Sequence, residues 1–262
     1  ARTVNVAIIG ETLREPNETF TLVLSSPSAG YTIADGSGLG TINNDDPVPI
    51  LSIADAVVTE GGSAQFVVSA TNGNASTMTV QVASAVGTAG AGDFTAIPGG
   101  TVLTFMPGDT SEVVAVATTQ DTVDEPNETF SVTLSGAMNA SLGDASATGT
   151  INDDDPAPVI TINDPSVFEG NSGTRPLAFT ISLAGTSSQS VLVDFATADN
   201  TATIANNDYI AASGQVSIPS GQASAIVNIT INGDTTIEGD ETLRVNLSSP
   251  ENATIGDSQG TG

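Results

Sequence analysis

The chain has 262 residues, with 30 acids against 4 basic residues, all arginine, and a net charge of −26. Such a surface repels nucleic acid and anionic membranes. With no histidine, cysteine or lysine, it excludes imidazole and thiolate zinc sites, Ser-His-Asp and Cys-His catalysis, disulfides, Schiff-base chemistry and Walker-type phosphate loops. Hydrophobic residues make up 39% of the chain, enough for a core. No apolar run is long enough to span a membrane. Clustered carboxylates are hard oxygen donors, which suit Ca²⁺ better than soft metals. Paired carboxylates also serve glycosidases. Those enzymes hold sugars on aromatic surfaces, and this chain has 4% aromatics and no tryptophan.

In chain order, the first marker is Glu15-Pro16-Asn17-Glu18-Thr19-Phe20, followed by Gly40-Thr41-Ile42-Asn43-Asn44-Asp45-Asp46-Pro47. Both return, as 125–130 and as 149–156, at offsets of 125 − 15 = 110 and 149 − 40 = 109. A degenerate copy of the first, Glu238-Gly239-Asp240-Glu241-Thr242-Leu243, lies 238 − 125 = 113 positions further on. A period near 110 is the size of one sandwich domain. The expected organisation is 1–46, the C-terminal half of one repeat; 47–155, a complete repeat; and 156–262, a repeat lacking its last strand.

Phe130, Val132 and Leu134 alternate with Ser131 and Thr133, a strand period of two, and Phe20/Leu22/Leu24 and Leu243/Val245/Leu247 repeat it. Within the complete copy the pattern predicts seven strands, A to G, at 50–54, 63–70, 77–83, 101–106, 111–118, 129–135 and 146–152. The predicted fold class is all-β: tandem immunoglobulin-like, seven-stranded antiparallel β-sandwiches. Connectors stiffened by Pro47, Pro49, Pro156 and Pro158 would set them end to end.

If consecutive strands alternate in direction, the A–B, C–D and E–F loops and the exit of strand G share one pole. That pole gathers Glu60, Asp93, Asp121, Asp124, Glu125, Glu128, Asp153, Asp154 and Asp155; the opposite pole holds Asp109, Glu112 and Asp144. So many like charges at one end repel unless cations neutralise them. Asp93-Phe94 and Asp208-Tyr209 read as structural, the aromatic plugging the core and the aspartate capping a turn.

Four features together resemble the Calx-beta repeat family: Glu60-Gly61, Pro107-Gly108-Asp109, the Asp-x-x-x-Glu-x-x-Glu-x-Phe stretch at 121–130, and Thr150-Ile151-x-Asp153-Asp154-Asp155. The resemblance implies Ca²⁺ ligands Glu60, Asp121, Glu125, Glu128, Asp153, Asp154 and Asp155 in the complete copy. It implies Glu169, Asp199, Asp234, Glu238 and Glu241 in the third copy, and Glu11, Glu15, Glu18, Asp45 and Asp46 in the first. Ser84-Ala85-Val86 stands where the third copy has Ala198-Asp199-Asn200, so the complete copy lacks one expected aspartate.

The expected function is a non-enzymatic, calcium-rigidified spacer of a secreted or cell-surface protein, its partners being neighbouring repeats or identical subunits. The alternatives are an adhesin or fibre subunit that exchanges strands, and a calcium sensor, which needs an attached effector. The repeat arithmetic also leads us to expect a longer tandem chain or a polymer.

Overall fold

The computed structural model describes residues 2–262, and no helix occurs among the described residues. By contact the chain forms two compact units, one of residues 1–120 with 128–152 and one of residues 121–127 with 153–262.

In the first unit, β1 (Glu18–Val23) and β2 (Ser37–Ile42) form a two-stranded antiparallel ladder that places Phe20 opposite Gly40. A Cβ on Gly40 would collide with the Phe20 ring, so only glycine fits there. The preceding residues 2–10 form no strand, although Val4, Val6 and Ile8 alternate. In the complete copy the matching strand pairs with a single neighbour, predicted strand B, and residues 2–46 contain no such strand. Without that partner, strand hydrogen bonds cannot form.

The complete copy builds β3 (Ile50–Ile53), β4 (Ala56–Thr59), β5 (Ser63–Ala70), β6 (Met78–Val86), β7 (Thr101–Phe105) and β8 (Ser111–Ala117). There follow β9 (Val123–Asp124), β10 (Glu128–Met138), β11 (Ser141–Leu142) and β12 (Ser146–Asn152). One sheet runs β4-β12-β10-β6-β7 and the facing one β11-β3-β5-β8. The predicted single strand A is split: β3 lies in one sheet while β4 crosses to pair in parallel with β12 in the other. The buried positions show the switch, for Leu51 and Ile53 keep a step of two while the next, Ala56, comes after three. Asp55 fixes the crossing, its Oδ1 accepting the Thr148 N–H at 2.7 Å. Between the sheets Phe94 stacks on Phe130 at 4.4 Å and Phe66 meets the same ring edge-on at 5.7 Å. Each such buried ring stabilises the sandwich by about 1.5–3 kcal/mol through burial.

The second unit contains β13 (Val159–Ile162), β14 (Thr174–Ala184), β15 (Thr186–Ser187), β16 (Val191–Asp199) and β17 (Ser213–Ile218). It continues with β18 (Ser224–Asn232), β19 (Leu243–Glu251), β20 (Thr254–Ile255) and β21 (Gln259–Thr261). Its two main sheets are β18-β14-β13-β20 and β17-β16-β19-β21, and β9 joins this unit by pairing with β15 in a two-stranded sheet. The sequence reading leaves this repeat without its last strand, yet β21 pairs antiparallel with β19. Leu243 and Gly262 then exchange both backbone hydrogen bonds, at 3.0 Å each, as the next partners in that register. They match Phe130 and Gly149, which oppose each other between β10 and β12. The start of the last strand is therefore built.

Candidate metal centre

In the first unit the ends of several connections meet at one pole. The Glu60 N–H donates to Asn152 O at 3.0 Å, the Gly61 N–H to Thr119 O at 3.1 Å, and the Thr119 N–H to Asp93 O at 2.8 Å. The pole that strand parity predicted therefore exists within this unit. Gly61 has a φ of +70°, and a Cβ there would run into the Gln120 side chain. The glycine makes room for the Gln120 side chain, whose Nε2 donates to Glu60 Oε1 at 2.8 Å and holds the Glu60 carboxylate at the rim. Asp93 and Glu128 bring carboxylate oxygens within 4.8 Å of each other.

In the second unit, residues 121–127 and 153–155 are tied by short reciprocal bonds. Asp153 Oδ1 accepts the Glu125 N–H at 3.1 Å, and the Asp153 N–H donates to Asn127 Oδ1 at 3.1 Å. Asp121 Oδ1 accepts the Val123 N–H at 2.8 Å. The first copy repeats the clasp: Asn44 Oδ1 accepts from Glu15 N–H and Asn44 N–H donates to Asn17 Oδ1, both at 2.9 Å. Asp153 and Asp155 offer oxygens within 4.8 Å of each other, while Asp154 is exposed. Asp155 Oδ2 is buried and has no hydrogen-bond partner among the described residues. A carboxylate oxygen out of water and without a donor is costly. A cation removes that cost, so this oxygen-only donor set fits a hard divalent ion.

The third copy gathers Asp208, Glu238 and Glu241, whose oxygens converge within 4.8 Å. These acids line a cavity of about 730 Å³ together with Leu177, Tyr209 and Leu243. Loss of hydration, then repulsion from Asp208, Asp234 and Glu169, holds the Glu238 carboxyl above its ordinary range. Glu241 is raised in the same way, by loss of hydration and then by repulsion from Asp208 and Glu238. Of the expected ligands here, Glu169 and Asp234 add charge around the converging group, and Asp234 Oδ1 caps the Thr236 N–H at 2.6 Å. Asp199 is engaged elsewhere. Its Oδ1 accepts the Tyr209 hydroxyl at 2.6 Å and the Ile204 N–H at 3.1 Å. Burial first, and then that carboxylate, push the Tyr209 phenol up to about 12.

In the first copy, a hydrogen bond with Glu11 raises Glu15, with loss of hydration and repulsion from Glu11, Glu18 and Asp46 adding to it. The groups that converge within 4.8 Å do not include Glu11, Glu15, Glu18, Asp45 or Asp46.

Asp93 and Asp208 were missed as candidate ligands. Each does cap a turn, Asp93 Oδ2 accepting the Gly90 N–H at 2.6 Å and Asp208 Oδ2 the Thr203 N–H at 2.7 Å. Phe94 and Tyr209 do plug the core. Yet both aspartates also enter converging acidic groups. The available signal was the recurrence of Asp-aromatic at 208 − 93 = 115, close to the repeat period.

Comparison with known proteins extends these observations. A search of the curated proteins found no match. Among solved structures, the chain is similar to the calcium-binding domain CBD12 of CALX1.1, at 22% identity over 76% of this chain and 79% of that one, with a TM-score of 0.39. It is also similar to the apo form of the Calx CBD1 domain, at 25% identity over 42% of this chain and 100% of that one, with a TM-score of 0.38. The family model for the Calx-beta domain matches residues 1–46, 43–155 and 153–259, and so nearly the whole chain; the protein belongs to the Calx-beta domain family.

Proposed function

We propose that this chain is a calcium-binding structural spacer of an extracellular or cell-surface protein, in which the ion stiffens the joints between repeats. The observation that carries the reading is the buried Asp155 Oδ2, which has no hydrogen-bond partner among the described residues and lies close to an Asp153 carboxylate oxygen, in a family with calcium-binding members. In the joint segment the ligands are Asp121, Glu125, Asp153, Asp154 and Asp155. Asp93 and Glu128 offer a further pair at the pole of the complete copy, with Glu60 held at its rim, and Asp208, Glu238 and Glu241 offer a set in the third. Calcium takes six to eight oxygens, so carbonyls and water would complete each shell. The ion's role is structural and the reading assigns no catalytic step. No described helix is long and apolar enough to cross a membrane.

Stability would follow calcium by mass action, because the unfolded chain has no assembled site. At one hundred times its dissociation constant the ion adds about 2.7 kcal/mol. The test is thermal melting in calcium and in chelator, with Asp154→Asn and Glu125→Gln combined as the variant. Calcium should raise the wild-type melting temperature and leave the variant unmoved. Superimposable wild-type curves would sink the reading.

A second reading, a fibre or matrix subunit that pairs with other chains, draws support from the first copy. Ile9 is 93% exposed and Leu39, on β2, 73% exposed, an apolar surface suited to a partner strand or sheet. Concentration-dependent mass by light scattering separates this reading from the spacer.

A further inference from the structure

Three polar or charged residues are buried among those described: Asn74, Thr118 and Ser187. Asn74 and Ser187, at 2% and 5% exposure, hold equivalent places. One lies between β5 and β6, the other between β14 and β16, separated by 187 − 74 = 113 residues, one repeat period. Each meets the connection that precedes the Phe20 or Phe130 strand of the copy before it. Arg14 forms a parallel bridge with Asn74, the Arg14 N–H donating to Gly73 O at 3.2 Å and the Ala75 N–H to Arg14 O at 2.9 Å. Asp124 stands 124 − 14 = 110 residues later. There β9 pairs in parallel with β15. The Ser188 N–H donates to Asp124 O at 3.1 Å and Thr186 Oγ1 to Thr122 O at 3.0 Å. Ser187 Oγ lies 3.3 Å from both Asp124 O and Asp124 Oδ2. Side chains as different as Arg14 and Asp124 share the arrangement, so the backbone carries it. At the matching place in the third copy, 237 − 124 = 113 residues on, Ile237 is 99% exposed.

We propose that Thr186, Ser187 and Ser188 are positioning residues for the calcium ligands of residues 121–127, so that the third copy helps to set the calcium affinity of the second. This rests on the calcium reading above. The 121–127 connection carries Asp121 and Glu125, and left to itself it would sample many conformations. Clamping its middle at Thr122 and Asp124 removes freedom that the ion would otherwise have to remove. Outer partners of this kind tune metal affinity through the ligands they orient.

The test uses the full chain, with calcium chloride alone as the titrant. Thr186→Val combined with Ser187→Ala should weaken calcium binding at the 121–155 acids about tenfold by calorimetry. Ser187→Thr, which keeps a hydroxyl, should bind as wild type does. Wild-type affinity in the double variant overturns the proposal. Amide hydrogen exchange in chelator separates this outcome from failure of the calcium reading. Residues 121–127 should exchange faster in the double variant while the β14 amides stay protected. If the wild type binds no calcium but that acceleration is seen, the calcium reading falls and the clamp stands. Equal exchange overturns the clamp whether or not calcium binds.

Discussion

The second and third copies solve the same packing problem with different chemistry. In the second, Phe94 stacks on Phe130, and the strand position opposite Phe130 is Val86. In the third, Tyr209 fills the place of Phe94, Leu243 that of Phe130, and the position opposite Leu243 is Asp199. The register thus matches Asp199 with Val86, one residue away from the sequence alignment, which set it against Ala85. A phenol in a core needs an acceptor and a phenyl ring does not. Asp199 supplies that acceptor, whereas Val86 faces no such demand. An aspartate that reads as a metal ligand in one repeat can therefore be the partner of a buried hydroxyl, and its aromatic neighbour decides which.

Three experiments probe that contrast. The largest effect is expected for Phe130→Ala, which removes the ring that both Phe66 and Phe94 pack against. It should cost about 3–5 kcal/mol. Denaturant melts should show the complete copy unfolding early and the third copy unchanged; a loss below about 1 kcal/mol would mean that the stack is not central.

The second is a double-mutant cycle. Asp199→Val alone removes the carboxylate acceptor of the Tyr209 hydroxyl and should cost about 1–3 kcal/mol. Tyr209→Phe alone should cost about 1 kcal/mol. The pair together rebuilds the Phe94/Val86 arrangement and should be more stable than Asp199→Val alone, an interaction that urea unfolding resolves. Additive losses would show that the hydroxyl and the carboxylate are not coupled.

The smallest effect is a pH dependence. Glu238 and Glu241 titrate above their ordinary value of 4.5 in the folded third copy. A raised carboxyl favours the folded state while protonated, so its contribution is present below pH 4.5 and fades as pH rises through the folded values. In chelator the melting temperature of the third copy should therefore fall as pH rises from about 4 to 7. Calcium, by neutralising the acids, should flatten that slope. A slope that calcium leaves unchanged would remove Glu238 and Glu241 from the candidate site.

Much of this was legible in the chain itself. Two markers at one period imply repeats of domain size, and two-residue alternation locates each main strand of the complete copy to within a few residues. The parity of those strands then sends Glu60 and Asp93 to one pole, where backbone bonds to Asn152 and Thr119 join them. These features are local or periodic, so one sequence displays them.

Other features were decided only by tertiary contact. The first strand changes sheets at Asp55 because Thr148, 93 residues away, offers an N–H there. Asp199 turns to Tyr209, and Asp208 joins Glu238 and Glu241 instead, because a buried hydroxyl claims the nearest carboxylate. Ser187 is an ordinary loop serine in the sequence. Its meaning comes from Asp124, 63 positions earlier, whose backbone and carboxylate oxygens lie beside it. Composition and period determine which residues are available and which face of a strand they take. Which polar group satisfies which, across tens of residues of chain, is settled only when folding brings specific donors and acceptors within reach of one another.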